Sequence, residues 1–292
     1  MSHKAGFVSI VGYPNVGKST LMNALIGERL SIITPKVQTT RHRIMGILSG
    51  DDYQVVFSDT PGVISPHYKL QEAMMSAVFS SLDDADLILL VTEFGNEFNH
   101  EEILRKISET GVPVIVVINK IDLGNMEALE QEALRWMKTM PAATVLPVSA
   151  LHNLNLDQVL KAILRLLPES PPYYPKEELS DRSQRFFISE IIREKILLNF
   201  SQEVPYSTEV TIDSFTEEKH LTKVSATIHV TRDSQKGILL GHQGTAIKKL
   251  GTEARRDIES FLGEHIFLDL RVKVAKDWRE DDRALRRFGY IE

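Results

Sequence analysis

Apolar residues in the first part of this chain fall in short solid runs, Phe7–Val11, Val55–Phe57, Leu87–Val91, Val114–Ile118 and Val145–Val148, each closed by polar turn residues. A run that is apolar at nearly every position, rather than at every second one, belongs to a strand covered on both faces. Between the runs lie amphipathic stretches, near 69–83, 100–109, 127–138 and 156–167, with apolar residues at the spacing of one helical face. Buried strands alternating with amphipathic helices predict an α/β fold with a doubly wound, mostly parallel sheet. Asp51 and Asp52 separate Ile44–Leu48 from Tyr53–Phe57, a hairpin signal that adds one antiparallel strand at an edge.

The rhythm changes at Pro168, Pro171, Pro172 and Pro175, which together with the acidic stretch Lys176–Asp181 can continue neither helix nor sheet. The expected division is a first domain over 1–171, a linker over 172–185, a smaller α+β domain over 186–276 and a tail over 277–292. Within the second domain a helical pattern, Phe187–Leu198, precedes two alternating strand patterns, Ser207–Phe215 and Lys223–Thr231. Gln235–Leu240, the short Gly241–Gly244 loop, a helix from Ala246 to about Leu262 and a strand His265–Val274 follow.

With 292 residues, 42% hydrophobic and 25% charged, the chain has enough apolar surface for a core in each domain. It contains no cysteine, which excludes disulfides, thiolate metal sites and cysteine nucleophiles and fits a reducing, cytoplasmic compartment. The first apolar run is too short for a signal-peptide core or a membrane span, so a soluble protein is expected. The net charge is −6, and the excess lies entirely in the first part: residues 1–179 hold 15 Lys+Arg against 21 Asp+Glu, whereas 180–292 hold 19 of each. Residues 236–287 hold 12 basic against 9 acidic side chains, and the pairs Lys248-Lys249 and Arg255-Arg256 lie one helical face apart, which predicts a local positive patch.

The strongest chemical signal is Gly12-Tyr13-Pro14-Asn15-Val16-Gly17-Lys18-Ser19, a complete G-x-x-x-x-G-K-[ST] phosphate loop leaving the strand Phe7–Val11. Its glycines let backbone N–H groups turn toward a β-phosphate, Lys18 neutralises the β- and γ-phosphates, and the Ser19 hydroxyl ligates Mg²⁺. Thr20 opens a helix whose N-terminal dipole adds to the cradle. Three further signals follow the ends of predicted strands, where an open α/β sheet places its ligand crevice. Asp59-Thr60-Pro61-Gly62 offers a carboxylate to the Mg²⁺ shell and the Gly62 N–H to a γ-phosphate. Asn119-Lys120-Ile121-Asp122 offers a carboxylate to the ring N–H and exocyclic amine that guanine has and adenine lacks. Ser149-Ala150 offers a backbone N–H to guanine O6.

In this order, Gly12–Ser19, Asp59–Gly62, Asn119–Asp122 and Ser149-Ala150 resemble the motif set of translation-factor-type GTPases. The stretch Val37–Arg43 is similar to the first switch of the Era family, in which Thr40 would complete the Mg²⁺ shell beside Ser19 and Asp59. The resemblance implies GTP and GDP as ligands and assigns the chemistry to Lys18, Thr40 and Gly62. Val63 stands where Ras-type enzymes carry the glutamine that orients water, which implies slow intrinsic turnover. Asn15 matches a residue that holds K⁺ against the phosphates in monovalent-cation-dependent relatives; a loop-shaping amide is the other reading.

The α-β-β-α-GxxG-α-β order of the second domain resembles a type II KH domain. There a short loop admits a nucleotide backbone while helix and strand offer a groove to about four unstacked bases. The RNA contacts so implied are Lys236, Gly241, His242, Gln243, Gly244, Thr245, Ile247, Lys248 and Lys249. His242 and Gln243 depart from the basic residues often found between the glycines, and the turn is expected to survive aspartate at both Gly241 and Gly244. The tail Lys276–Tyr290 also resembles the Era family; Trp278 in it either stacks on a base or anchors the tail. The resemblance to the Era family implies binding to the 3′ region of small-subunit ribosomal RNA, action in 30S subunit assembly, a monomer, and peripheral association with the inner membrane. Two classes stay open: a GTP hydrolase that times RNA release, and a GTP-gated RNA chaperone in which hydrolysis is incidental.

Overall fold

The computed structural model describes residues 3–218 and 221–291. They form two compact units: residues up to Pro66 with Met74–Asp181, and His67–Ala73 with the chain from Arg182 on.

The first unit is built on a six-stranded sheet ordered β2-β3-β1-β4-β5-β6. The strands are β1 (Lys4–Val11), β2 (Ile44–Ser49), β3 (Tyr53–Asp59), β4 (Leu87–Glu93), β5 (Val114–Asn119) and β6 (Thr144–Pro147). All neighbours run parallel except β2, which pairs antiparallel with β3 at one edge, as the Asp51-Asp52 turn requires. Helices α1 (Lys18–Ile26), α2 (Lys69–Asp83), α3 (Glu101–Thr110), α4 (Met126–Thr139) and α5 (Leu156–Leu166) connect them. The solid apolar runs have the expected cause. Ile88 and Leu90 of β4 and Val116 and Ile118 of β5 pack with Val78, Ile103, Ile107 and Trp136 from helices, while Leu87, Leu89, Ile115 and Val117 are buried too. Residues 173–181 pack along the β2–β3 edge: Gln54 Oε1 accepts from the N–H groups of Tyr173 and Tyr174, and Ile47 N–H donates to Leu179 O.

In the second unit α6 (Gln184–Asn199), α7 (Asp233–Leu240) and α8 (Thr245–Leu262) cover a sheet ordered β7-β8-β9, formed by Glu209–Glu218, Leu221–Val230 and Ile266–Val274. The strand β8 lies in the middle, antiparallel to β7 and parallel to β9. Its alternate residues Val224, Ala226, Ile228 and Val230 are buried with Ile188, Ile192 and Ile196 of α6 and Leu250, Ala254 and Ile258 of α8. The same unit ends in a short helix, α9 (Asp282–Arg287), held by Trp278. That indole is 1% exposed, donates from Nε1 to Ser207 O at 3.0 Å and packs against the rings of Phe288 and Tyr290. Trp278 is therefore an anchor, closed to base stacking.

Removing a fully buried indole costs about 3–5 kcal/mol. Trp278→Ala should lower the stability of this unit by that amount in a urea titration followed by circular dichroism. An unchanged midpoint would contradict the anchoring role.

Candidate functional site

The crevice lies at the carboxyl ends of β1, β3, β5 and β6, where the loops after those strands meet the loop between α1 and β2 around about 590 Å³. Pro14, Asn15, Gly17, Lys18, Ser19, Thr20, Thr40, Gly62, Asn119, Lys120, Asp122 and Ser149 line it. Gly12, Tyr13, Val16, Asp59, Thr60, Pro61 and Ala150 stand behind that lining. Several of them brace it: Thr60 Oγ1 donates to Ile10 O at 2.7 Å, and Val63 N–H donates to Gly12 O at 3.0 Å.

The phosphate end is set by the turn into α1. Gly17, at φ 97°, swings the chain into the helix, and a Cβ there would stand 2.2 Å from Asn119 Nδ2. Among the described residues no side chain caps α1, so its first-turn N–H groups are left for an anion in the crevice. Lys18 is 6% exposed and donates to the carbonyls of Gly12 and Tyr13 at 3.0 and 2.9 Å. Burial holds its ammonium down to about 8, with Asp59 opposing the shift.

Ser19, Thr40 and Asp59 meet at one point although they lie far apart in sequence. Ser19 Oγ lies 2.6 Å from Asp59 Oδ2 and 2.9 Å from Thr40 Oγ1, and Thr40 Oγ1 lies 3.4 Å from Asp59 Oδ2. Burial pushes the Asp59 carboxyl upward, against the Ser19 hydrogen bond and the Lys18 charge, and its Oδ1 has no hydrogen-bond partner among the described residues. Two hydroxyls and a buried carboxylate are an all-oxygen donor set, the chemistry that suits Mg²⁺.

At the opposite end Asp122 accepts from Ser149 Oγ at 2.5 Å, and this hydrogen bond, helped by the nearby His152, holds its carboxyl below the usual range. It is therefore an ionised acceptor at neutral pH. Asn119 is 2% exposed and fully engaged: Nδ2 donates to Val16 O at 2.8 Å and Oδ1 accepts from Ala150 N–H at 2.9 Å. One amide thus ties the phosphate loop, the Asn119–Asp122 loop and the Ser149-Ala150 loop together. Lys120 Nζ pairs with Glu93 at 3.0 Å, laying its stem along the crevice. The motifs did not single out Ile32, Ile33, Leu123 and Leu151, which supply apolar wall; they lie in loops or, for Leu123, in a single 3-10 turn, where periodicity gives no signal.

The side chain of Val63 is 1% exposed and packs in the core with Met75 and Val78, so it presents nothing to a water at the phosphates. Asn15, in the left-handed region at φ 63°, donates from Nδ2 to Pro35 O at 3.0 Å and so touches the loop preceding Thr40.

On the second unit a groove of about 340 Å³ runs between α8 and β9, lined by Ile247, Lys248, Gly251, Thr252 and Arg255 on the helix and Phe267, Leu268 and Leu270 on the strand. His242, Gln243, Thr245, Lys248 and Lys249 are exposed, whereas Lys236 is half-buried on α7. Lys249 lies 3.8 Å from Glu253, and Thr245 Oγ1 donates to His242 O at 2.9 Å. The expectation that the turn survives aspartate at both glycines fails. Gly241 adopts φ 70° and ψ 178°, and a Cβ there would stand 2.7 Å from Ala246 Cβ.

The profile of a family described as a 50S ribosome-binding GTPase matches residues 7–120, and that of the KH domain matches 203–279. The GTPase Era of Staphylococcus haemolyticus is 43% identical over 293 residues, covering 99% of this chain and 98% of the relative. That of Syntrophus aciditrophicus is 44% identical, covering 99% and 96%. Two solved structures each match with a TM-score of 0.95 at 38% identity, covering 99% of this chain and 100% of theirs. One is an Aquifex aeolicus Era variant bound to GDP·AlF4⁻; the other is Era in complex with MgGDPNP and nucleotides 1506–1542 of 16S ribosomal RNA. Likeness on this scale, along the whole chain and through both domains, makes this protein a GTPase of the Era family.

Proposed function

We propose that this chain binds the 3′ region of small-subunit ribosomal RNA and acts in assembly of the 30S subunit, with GTP turnover timing its release from the RNA. The observation that carries the reading is the presence on one chain of the Lys18–Thr40–Asp59 crevice and of a groove that places Lys248 and Arg255 beside Phe267. Basic side chains next to an apolar floor suit unpaired bases with their phosphates. Support also comes from the Era relative whose structure holds 16S ribosomal RNA. In functional terms the chain divides into a GTPase domain over 1–171, a linker over 172–185, a KH domain over 186–276 and a tail over 277–292. Lys236, Lys248 and Lys249 attract the RNA backbone to the Gly241–Gly244 loop.

In the crevice Lys18 and the α1 N-terminus bind the phosphates, Asp122 reads guanine, and Asn119 keeps the three loops in register. Ser19, Thr40 and Asp59 would hold Mg²⁺, whose charge offsets that developing on the phosphate oxygens. The Gly62 N–H supports the terminal phosphate. With Val63 buried, Asn15 Nδ2 fixes the first-switch loop through Pro35 O, and the amide oxygen of Asn15 would hold a K⁺ ion, whose charge would take the part of an arginine finger. Cytoplasmic residence as a monomer, with peripheral attachment to the inner membrane, belongs to the same reading. Among the described residues no helix is long and apolar enough to cross a membrane.

GTP hydrolysis should be faster in K⁺ than in Na⁺ at matched ionic strength. Equal rates in the two salts would leave Asn15 as a loop brace alone.

Because Gly241 admits no side chain, the RNA reading is tested at the exposed pair between the glycines. His242→Asp with Gln243→Asp sets two negative charges against an incoming phosphate. Affinity for the single-stranded 3′ end should fall at least tenfold, about 1.4 kcal/mol, and any change in GTP hydrolysis caused by that RNA should vanish. Affinity for GTP should stay the same. Undiminished RNA binding by the double variant would contradict the proposal.

A further inference from the structure

A second cleft on the first unit, of about 160 Å³, lies between the loop after β4 and helix α4 and shares no lining residue with the nucleotide crevice. Phe98 and Asn99 line it from the loop, and Glu132, Arg135 and Trp136 from the helix. Small-molecule sites usually enclose about 300–1,000 Å³, so this one admits the head of a single side chain rather than a whole cofactor.

Its chemistry is set by Glu132, which is only 3% exposed. One carboxylate oxygen, Oε2, accepts from Gly95 N–H at 2.9 Å; the other, Oε1, is buried without a hydrogen-bond partner among the described residues. A buried carboxylate oxygen calls for a donor. Arg135 does not supply it, being paired at the rim with Glu97 at 3.4 Å. Trp136, 7% exposed, adds an aromatic wall. A planar cation with several N–H donors satisfies carboxylate and indole together, which is the combination a guanidinium offers.

We propose that this cleft receives the guanidinium of an arginine side chain presented by a basic partner protein. Charge complementarity favours that source, since residues 1–179 carry the whole acidic excess of the chain, 21 acidic against 15 basic side chains. The position gives such a contact a consequence. The Phe98 ring lies 4.5 Å from that of Tyr13 in the phosphate loop, and Asn99 Oδ1 accepts from the Tyr13 hydroxyl at 3.0 Å, so the occupant bears on a loop that supports the nucleotide crevice.

The test is an NMR titration of the full chain with N-acetyl-arginine methylamide, using N-acetyl-citrulline methylamide as the neutral isostere. The arginine probe should produce saturable shifts at the amides of 96–99 and at the Trp136 indole, and the citrulline probe none. Glu132→Gln keeps an acceptor for Gly95 N–H and should weaken the probe at least tenfold while leaving GDP affinity unchanged. The absence of saturable shifts, equal binding of citrulline, or full binding to Glu132→Gln would overturn the assignment. Tighter binding of free arginine than of the blocked probe would mark a metabolite site and overturn the assignment to a partner protein.

Discussion

A lysine ammonium and an aspartate carboxylate share the bottom of one crevice, both withdrawn from water. Lys18 donates to two backbone carbonyls, yet burial still brings it down to about 8, and burial raises Asp59 despite the Ser19 hydrogen bond. Neither charge is comfortable until a polyphosphate meets the lysine and a divalent cation meets the carboxylate. The surrounding architecture holds them in that state: parallel strands end together at the crevice, α1 begins there uncapped, and Thr40 is drawn in beside Ser19 and Asp59.

Holding the loops around those charges falls to a few buried contacts. Asn119 spends both ends of its amide on neighbouring loops, to Val16 O and from Ala150 N–H, so the residue of the guanine motif that looks like a ligand is also the tie between phosphate and base ends. Thr60 and Val63 turn inward for the same reason. The loop before Thr40 is tied to the phosphate loop, since Asn15 Nδ2 donates to Pro35 O.

Much of this was legible in the residue pattern because a strand buried on both faces has little choice but to be apolar throughout. β4 and β5 start where the runs Leu87–Val91 and Val114–Ile118 do and continue only to Glu93 and Asn119, the polar residues at the crevice. β1 begins at Lys4, earlier than Phe7, because Lys4 and Gly6 carry no apolar signal yet pair with β3. The motif residues were legible since backbone chemistry dictates them, whereas Ile32, Ile33 and Leu151 in the crevice wall were not, lying in loops without period. Glu132 reads in sequence as one more solvated helix charge, and only packing reveals that it is buried. Trp278 was ambiguous because an indole serves a base or a core equally well; its bond to Ser207 O decides.

The state of Lys18 can be measured directly. With a free-state value of about 8, the lysine is about half protonated at pH 8, and a bound phosphate raises it well above that. GDP titrated calorimetrically into the Mg²⁺-free protein at pH 8, in buffers of different ionisation enthalpy, should therefore take up about half a proton per site, and Lys18→Met should take up none. Because binding needs the charged lysine, the wild-type affinity should also fall as pH rises above 8. An enthalpy independent of buffer, with affinity flat from pH 7 to 9, would show that Lys18 is fully charged before the nucleotide arrives and would contradict the account of the crevice.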